Sequence, residues 1–107
     1  MKKPDLLQGT LDLLVLKTLA QGPQHGYGIA QKILVKSRNT LDVQQGSLYP
    51  ALHRLEKKRL VSSEWRESEA GRMARIYSLT KAGQKHLAQE KEQWASYSAA
   101  INWVLEG

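Results

Sequence analysis

The residues best suited to binding chemistry lie between Gly46 and Lys57. In a helix through this stretch, Leu48, Leu52 and Leu55 recur at i, i+4 and i+7 and therefore share one apolar face. The opposite face and its flanks carry hydroxyl, imidazole and basic groups, on Ser47, Tyr49, Pro50, His53, Arg54 and Lys57. Such groups can bond to phosphates and base edges, and the major groove of DNA admits one α-helix. An ordinary amphipathic helix with a solvated basic face fits this pattern equally well.

Pro50 limits where this helix can begin. A proline has no backbone N–H, and its ring is tolerated near the first turn of a helix but is costly further in. The residue four positions earlier is Gly46, which leaves room for the ring. Pro50 is therefore compatible with a helix that already includes Gly46.

Two further helices are expected to precede the basic one. From Thr10 to Ala20 the chain is apolar nearly all round, which indicates a helix buried on two sides. Its second side packs either on the same core or on a second subunit. Gly22 and Pro23 are expected to end this first helix, and a second helix is predicted from Tyr27 to about Lys36. A short polar turn then leads to the basic helix, which completes a helix-turn-helix pattern.

The hydrophobic period changes from that of a helix to that of a strand after Arg59. Residues 60–67 alternate, and a second candidate strand lies within 72–79, beyond a polar loop that ends in Gly71. A helix-turn-helix followed by a hairpin is a winged helix, whose wing is expected to reach DNA through Arg72 and Arg75. A hairpin that merely closes the core is the alternative, and Trp65 is expected to lie in that core.

Thr80 is suited to cap a last helix, predicted from Lys81 to about Leu105. Large residues recur along it at alternating spacings of three and four, which is a heptad-like pattern. Because this helix is longer than the core of so small a domain can cover, its apolar face is expected to pack against the same helix of a second chain. The predicted dimer interface consists of Leu87, Trp94, Tyr97, Ile101 and Val104.

Composition narrows the class of partner. The 107 residues include 16 Lys and Arg against 10 Asp and Glu, and the net charge of +6 favours an anionic partner, with nucleic acid ahead of a membrane surface. The absence of cysteine excludes disulfides and thiolate metal sites and fits the cytoplasm. The apolar stretch after Lys2 and Lys3 is interrupted by Asp12 and Lys17, so we expect neither a signal peptide nor a membrane span.

The sequence offers little support for a metal site or a catalytic site. The histidines, His25, His53 and His86, fall in separate elements without an acidic cluster, so no metal or other cofactor is expected. The chain contains no nucleophile elbow, no phosphate-binding glycine loop and no evident acid–base pair. We therefore do not expect an enzyme.

Three motifs stand out in the chain: the run from Gly46 to Glu56, the wing from Gly71 to Thr80, and the segment from His25 to Ile29. Together, within a match over about residues 6–83, they resemble the PadR family of bacterial transcriptional regulators. The resemblance implies a dimeric winged-helix repressor that binds an inverted-repeat operator and is released by a small molecule. The wing departs from the family pattern, because Met73, Ala74 and Ile76 stand where basic and aromatic residues are common.

The resemblance also implies that Ser47, Tyr49, Pro50, His53 and Arg54, together with the wing arginines, contact DNA. By their chemistry, Tyr49 would contact a phosphate, Ser47 a phosphate or a base edge, and His53 and Arg54 base edges. Lys57 would contact the DNA backbone or serve only solubility. Replacing Arg54 would then relax sequence preference, whereas replacing Lys57 would weaken binding to every sequence. The short C-terminus resembles that of the compact subgroup, whose members can hold a flat aromatic effector between the subunits. In this chain Trp94 and Tyr97, with Trp103 as a further candidate, would stack such a ligand. The alternative is that Trp94 only fills the dimer seam.

The predicted fold is thus mainly α with a small β-hairpin. It comprises a winged helix-turn-helix DNA-binding domain over residues 1–80 and a dimerisation helix over residues 81–107. The predicted function is sequence-specific transcriptional regulation as a homodimeric repressor. The alternative is a winged-helix module that binds protein without specific DNA binding.

Overall fold

The computed structural model describes residues 8–107. Residues 1–7, which include Lys2 and Lys3 and open the predicted DNA-binding domain, lie outside the described residues. The elements in chain order are α1 (Gln8–Ala20), β1 (Gln24–His25), α2 (Gly26–Lys36), α3 (Gln45–Lys57), β2 (Val61–Glu67), β3 (Met73–Leu79) and α4 (Lys81–Glu106). The prediction of a mainly helical winged helix with a C-terminal helix is confirmed.

Helix α1 lies at the centre of the core. It contacts α2, α3, β3 and α4, and its Val15 and Leu16 are fully buried. The predicted apolar face of α3 packs into the same cluster, where Leu48, Leu52 and Leu55 are at most 1% exposed. Burying each such leucine contributes about 1.5–3 kcal/mol. This burial fixes which side of α3 faces outward.

The sheet has three antiparallel strands in the order β1-β3-β2, whereas the sequence predicted a two-stranded hairpin. In the additional strand, Gln24 pairs with Tyr77 and His25 pairs with Ile76. Two residues are too few to produce an alternating pattern, so sequence periodicity could not reveal this strand. The pairing fastens the connection between α1 and α2 to the wing.

Pro50 lies inside α3, on the same helix as Gly46. The helix begins at Gln45, so Pro50 falls in its second turn and not in its first. A proline at this position deprives the carbonyl of Gly46 of its i+4 donor. Gly46 is exposed, and a Cβ there would have no neighbour within 4 Å. A side chain at position 46 would therefore not meet the ring of Pro50, and glycine is not needed there to accommodate the proline.

Trp65 is not in the core, contrary to the expectation from the sequence. Its side chain is 61% exposed, while Val61 on the same face of β2 is buried. The alternation of a strand identifies the face on which a residue lies, but not how far along that face the core extends. Here β2 leaves the core between Val61 and Trp65.

The start of α4 packs against the connection between α3 and β2. Thr80 caps the helix, since its hydroxyl accepts from the N–H of Gly83 at 3.0 Å, and its own N–H donates to the carbonyl of Leu60 at 3.1 Å. A Cβ on Gly83 would overlap the carbonyl oxygen of Leu60 and lie 2.6 Å from Cδ1 of Leu79. Glycine at position 83 therefore permits this close approach.

Leu87, one of the residues predicted for the dimer interface, packs inside its own chain. It is 7% exposed and belongs to the core cluster of its own chain. The first turns of α4 thus cover the winged helix, and only later turns are free to meet another molecule. Within residues 8–107, no helix is both long and apolar enough to cross a bilayer.

Gly83→Ala tests the close approach at the start of α4. Because the added methyl group has no space, we expect the free energy of unfolding to fall by about 1–3 kcal/mol, measured by urea denaturation. Gly9→Ala is the matched control, since a Cβ there meets nothing within 4 Å and should leave stability unchanged or slightly higher. Equal stability of both variants would contradict the packing described.

Candidate nucleic-acid interface

One side of α3 presents most of the residues that the sequence predicted to bind DNA. Their side chains are exposed, whereas the opposite side of the helix is buried in the core. We define the recognition surface as the exposed set Ser47, Tyr49, Pro50, His53 and Lys57. It combines hydroxyl, imidazole and ammonium groups, which can bond to phosphate oxygens and base edges.

The position of Tyr49 depends on Gly26. Tyr49 is 43% exposed, and a Cβ on Gly26 would lie 2.7 Å from its hydroxyl oxygen. Gly26 begins α2, and this helix is capped by His25, whose Nδ1 accepts from the N–H of Gly28 at 3.1 Å. The segment from His25 to Gly28 therefore caps α2 and leaves space for the tyrosine ring.

Arg54, which the sequence predicts to read base edges, lies beside the recognition surface and is paired with Asp12. Its Nη2 donates to Oδ1 of Asp12 at 3.0 Å, and the two side chains are only 30% and 16% exposed. The Nε of Arg54 is buried without a hydrogen-bond partner in the described part of the chain. Position 54 borders the apolar face of α3, so the guanidinium of Arg54 turns toward α1 and not outward.

Arg75 is also engaged within the chain, although the sequence predicted a DNA contact for it. Its Nε donates to the Ser63 hydroxyl at 2.9 Å, and its Nη2 donates to Oε1 of Glu56 at 3.2 Å. The guanidinium carbon lies 6.0 Å and 5.9 Å from the ring centroids of Trp65 and Tyr77. Arg75 therefore fastens the wing to the last turns of α3.

Tyr77 lies beneath this arginine and is itself buried. Burial raises the pKa of the Tyr77 phenol above its usual value, and the nearby Arg75 guanidinium opposes part of that rise. The phenol therefore stays neutral at physiological pH.

Arg72 remains available at the tip of the wing. Gly71 adopts a φ of 78°, as expected for the glycine in this loop, and the N–H of Arg72 donates to the Ser68 hydroxyl at 3.2 Å. The Arg72 side chain is exposed and makes no ion pair with any residue from 8 to 107. It is thus the wing cation best placed to meet another molecule.

The later turns of α4 carry the remaining predicted interface residues on an exposed surface. Trp94, Tyr97, Ile101 and Val104 are 44%, 56%, 40% and 79% exposed. The rings of Trp94 and Tyr97 lie 6.2 Å apart at 45°, beside a groove of about 380 Å³ that Leu13 of α1 also lines. Trp103 and Leu105 are exposed as well, and the heptad-like pattern did not include them.

The described residues hold no group of three His, Cys, Asp or Glu side chains arranged to bind a metal ion. The histidines have separate contacts: His25 caps α2, His53 belongs to the recognition surface, and His86 lies 3.3 Å from Glu90. The chemistry that this region offers is therefore hydrogen bonding and positive charge on one helix and one wing tip.

Comparison with known proteins supports this picture. A model of the transcriptional regulator PadR-like family matches residues 15–89. A transcriptional regulator of Mycobacterium tuberculosis is 38% identical over 79 residues, which cover 74% of this chain and 70% of that protein. A transcriptional regulator structure from Clostridium thermocellum has a TM-score of 0.83 at 29% identity, covering 92% of this chain and 96% of the other. A PadR family structure from Clostridium difficile R20291 has a TM-score of 0.75 at 30% identity, covering 89% and 97%.

Asp12→Ala and Arg54→Ala test whether Arg54 anchors α3. If it does, each variant loses stability, and a double-mutant cycle gives a coupling of about 0.5–3 kcal/mol in urea denaturation. Lys57→Ala, which changes an exposed cation on the same helix, should leave stability unchanged.

Duplex binding separates the anchor from a base reader. If Arg54 and Asp12 hold α3 against α1, Asp12→Ala should weaken DNA binding as Arg54→Ala does, because each substitution loosens this contact. If Arg54 reads bases instead, Asp12→Ala frees its guanidinium, and affinity is unchanged or higher.

Proposed function

The chain belongs to the PadR-like family of transcriptional regulators, and from this premise we propose that it acts in the cytoplasm as a homodimeric repressor of an inverted-repeat operator. It is a DNA-binding regulator and not an enzyme. The observation that carries the finer proposal is the recognition surface, a polar and basic helix face backed by a fully buried one. In this proposal residues 1–80 bind DNA and residues 81–107 form the dimer.

The recognition surface is suited to entry into a major groove. Ser47 and Tyr49 near the start of α3 donate to phosphates, His53 on the exposed face contacts base edges, and Lys57 at the end contacts the backbone. Pro50 adds an apolar contact between them. The fully buried leucines on the other side hold the helix rigidly, so these groups are presented without a large entropic cost on binding.

The wing contributes one direct cation and one positioning residue. Arg72 extends from the tip to a phosphate or into the minor groove. Arg75 instead holds the hairpin against Glu56 of α3, with the 3.2 Å contact setting the spacing between the wing and the recognition surface. A single wing cation agrees with a hairpin that carries fewer basic residues than is usual in the family.

Dimerisation through α4 is supported by apolar surface that a single chain leaves open. Trp94, Tyr97, Ile101 and Val104 follow one another at spacings of three and four and are all exposed. An apolar patch of this extent on one helix is typical of an interface. Such a dimer would present two copies of α3 to half-sites about 34 Å apart, one helical turn of DNA, which is the geometry of an inverted repeat.

A flat aromatic effector is supported by the groove between α1 and α4. Its volume of about 380 Å³ suits a small molecule, and the Trp94 and Tyr97 rings at its wall offer stacking surfaces. Leu13 of α1 lines the same groove, and Asp12 beside it pairs with Arg54. A ligand that shifts α1 would therefore act on α3 and release the operator; the alternative remains that Trp94 only fills the dimer seam.

Selection of duplexes from a random library tests the repressor proposal. We expect an inverted repeat to emerge, with log K falling against log salt by about 0.9 for each phosphate contacted. Lys57→Ala should weaken binding to all sequences and reduce that slope by about 1, while Lys85→Ala on α4 leaves both unchanged. If no sequence is enriched and the binding affinity does not change with salt concentration, the alternative of a module that binds protein is favoured instead.

Ile101→Glu tests the dimer. Burial of an unpaired carboxylate in the α4 seam should raise the dimer dissociation constant at least about tenfold, measured by sedimentation equilibrium. Val35→Glu on α2 is the control, since Val35 is 68% exposed and lies outside the seam. A dimer unaffected by Ile101→Glu would place the interface elsewhere.

A further inference from the structure

A second groove lies on another side of the molecule. It has a volume of about 290 Å³ and is formed by the C-terminal halves of α1 and α2 and the turn that follows α2. Its apolar floor consists of Leu14, Ile33 and Leu41. No described residue of α3, the hairpin or α4 lines it, so the groove is separate from the recognition surface and from the groove beside Trp94.

Three lysines form the rim of this groove. Lys17 stands on α1, and Lys32 and Lys36 stand one turn apart on α2. All three are exposed, and none makes an ion pair within residues 8–107. No acidic side chain is among the described residues that line the groove. The described part of the rim therefore carries three positive charges above an apolar floor.

The hydroxyl groups in the groove are already bonded. The Thr18 hydroxyl donates to the carbonyl of Leu14 at 2.8 Å. The Ser37 hydroxyl donates to the carbonyl of Leu34 at 3.0 Å and accepts from the N–H of Leu41 at 2.9 Å. Gln21 also lines the groove, so its side-chain amide and the lysine ammonium groups are the polar contacts that the described lining offers, and only the ammonium groups carry charge.

We propose that this groove binds an amphipathic anion with one aliphatic chain, such as a medium-length alkyl carboxylate. The chain lies on Leu14, Ile33 and Leu41, and the carboxylate lies between Lys17 and the two lysines of α2. No aromatic side chain lines the groove, so it offers an aliphatic chain contact but gives a flat ring nothing to stack on. The volume is near the lower end of the range of small-molecule sites, about 300–1,000 Å³.

Decanoate is the probe for this site, below its micelle concentration, with the full chain. Calorimetry should give one saturable site per chain, and amide shifts in nuclear magnetic resonance should centre on Leu14, Ile33 and Leu41. The triple variant Lys17→Gln, Lys32→Gln, Lys36→Gln should weaken binding at least about tenfold, because the charge-assisted contacts are lost. These lysines are exposed, so urea denaturation should show unchanged stability.

A charge-matched control separates local from general electrostatics. The triple variant Lys81→Gln, Lys85→Gln, Lys91→Gln has the same net charge and alters exposed lysines of α4, so it should bind decanoate as the wild type does. The proposal is overturned if this control weakens binding equally, if decyltrimethylammonium binds as tightly as decanoate, or if shifts appear only around Trp94. It is also overturned if inorganic phosphate displaces decanoate at equal concentration. None of these results depends on operator binding, so the site stands or fails independently of the repressor proposal.

Discussion

Burial of the leucine face of α3 against α1 is the constraint on which the rest of the structure depends. Leu48, Leu52 and Leu55 have almost no exposed surface, and they meet a central helix whose Val15 and Leu16 are equally buried. Rotation of α3 about its axis would expose these leucines at about 1.5–3 kcal/mol each. The outward direction of Ser47, Tyr49, His53 and Lys57 therefore follows from packing, before any contact with DNA.

Basic residues near the recognition surface divide into two groups according to their neighbours. Lys57 and Arg72 are free of ion pairs in the described structure, whereas Arg54 pairs with Asp12 and Arg75 pairs with Glu56. The paired arginines fix α3 to α1 and the wing to α3. An arginine can thus support DNA recognition by positioning other groups, because its planar fork bonds well to a carboxylate in a partly buried place.

Helix α4 lies in two different environments along its length. Its first turns pack into the winged helix through Gly83 and Leu87, while Trp94, Tyr97, Ile101 and Val104 are left open. The groove lined by Trp94 also includes Leu13 of α1, one residue after Asp12. The proposed dimer and effector surface is therefore connected to α3 through only one intervening helix, which provides a short physical route for regulation.

The sequence by itself determined the three central helices, the hairpin and the recognition surface, because helical and strand periods and the motif from Gly46 to Glu56 are local properties of the chain. The tertiary structure decided the partners of Arg54 and Arg75, the exposure of Trp65, the burial of Leu87 and the pairing of β1. Each of these depends on residues far away in the chain: Asp12 is 42 positions from Arg54, and Tyr77 is 53 from Gln24. Periodicity assigns a residue to a face, but only the packed structure shows what that face meets.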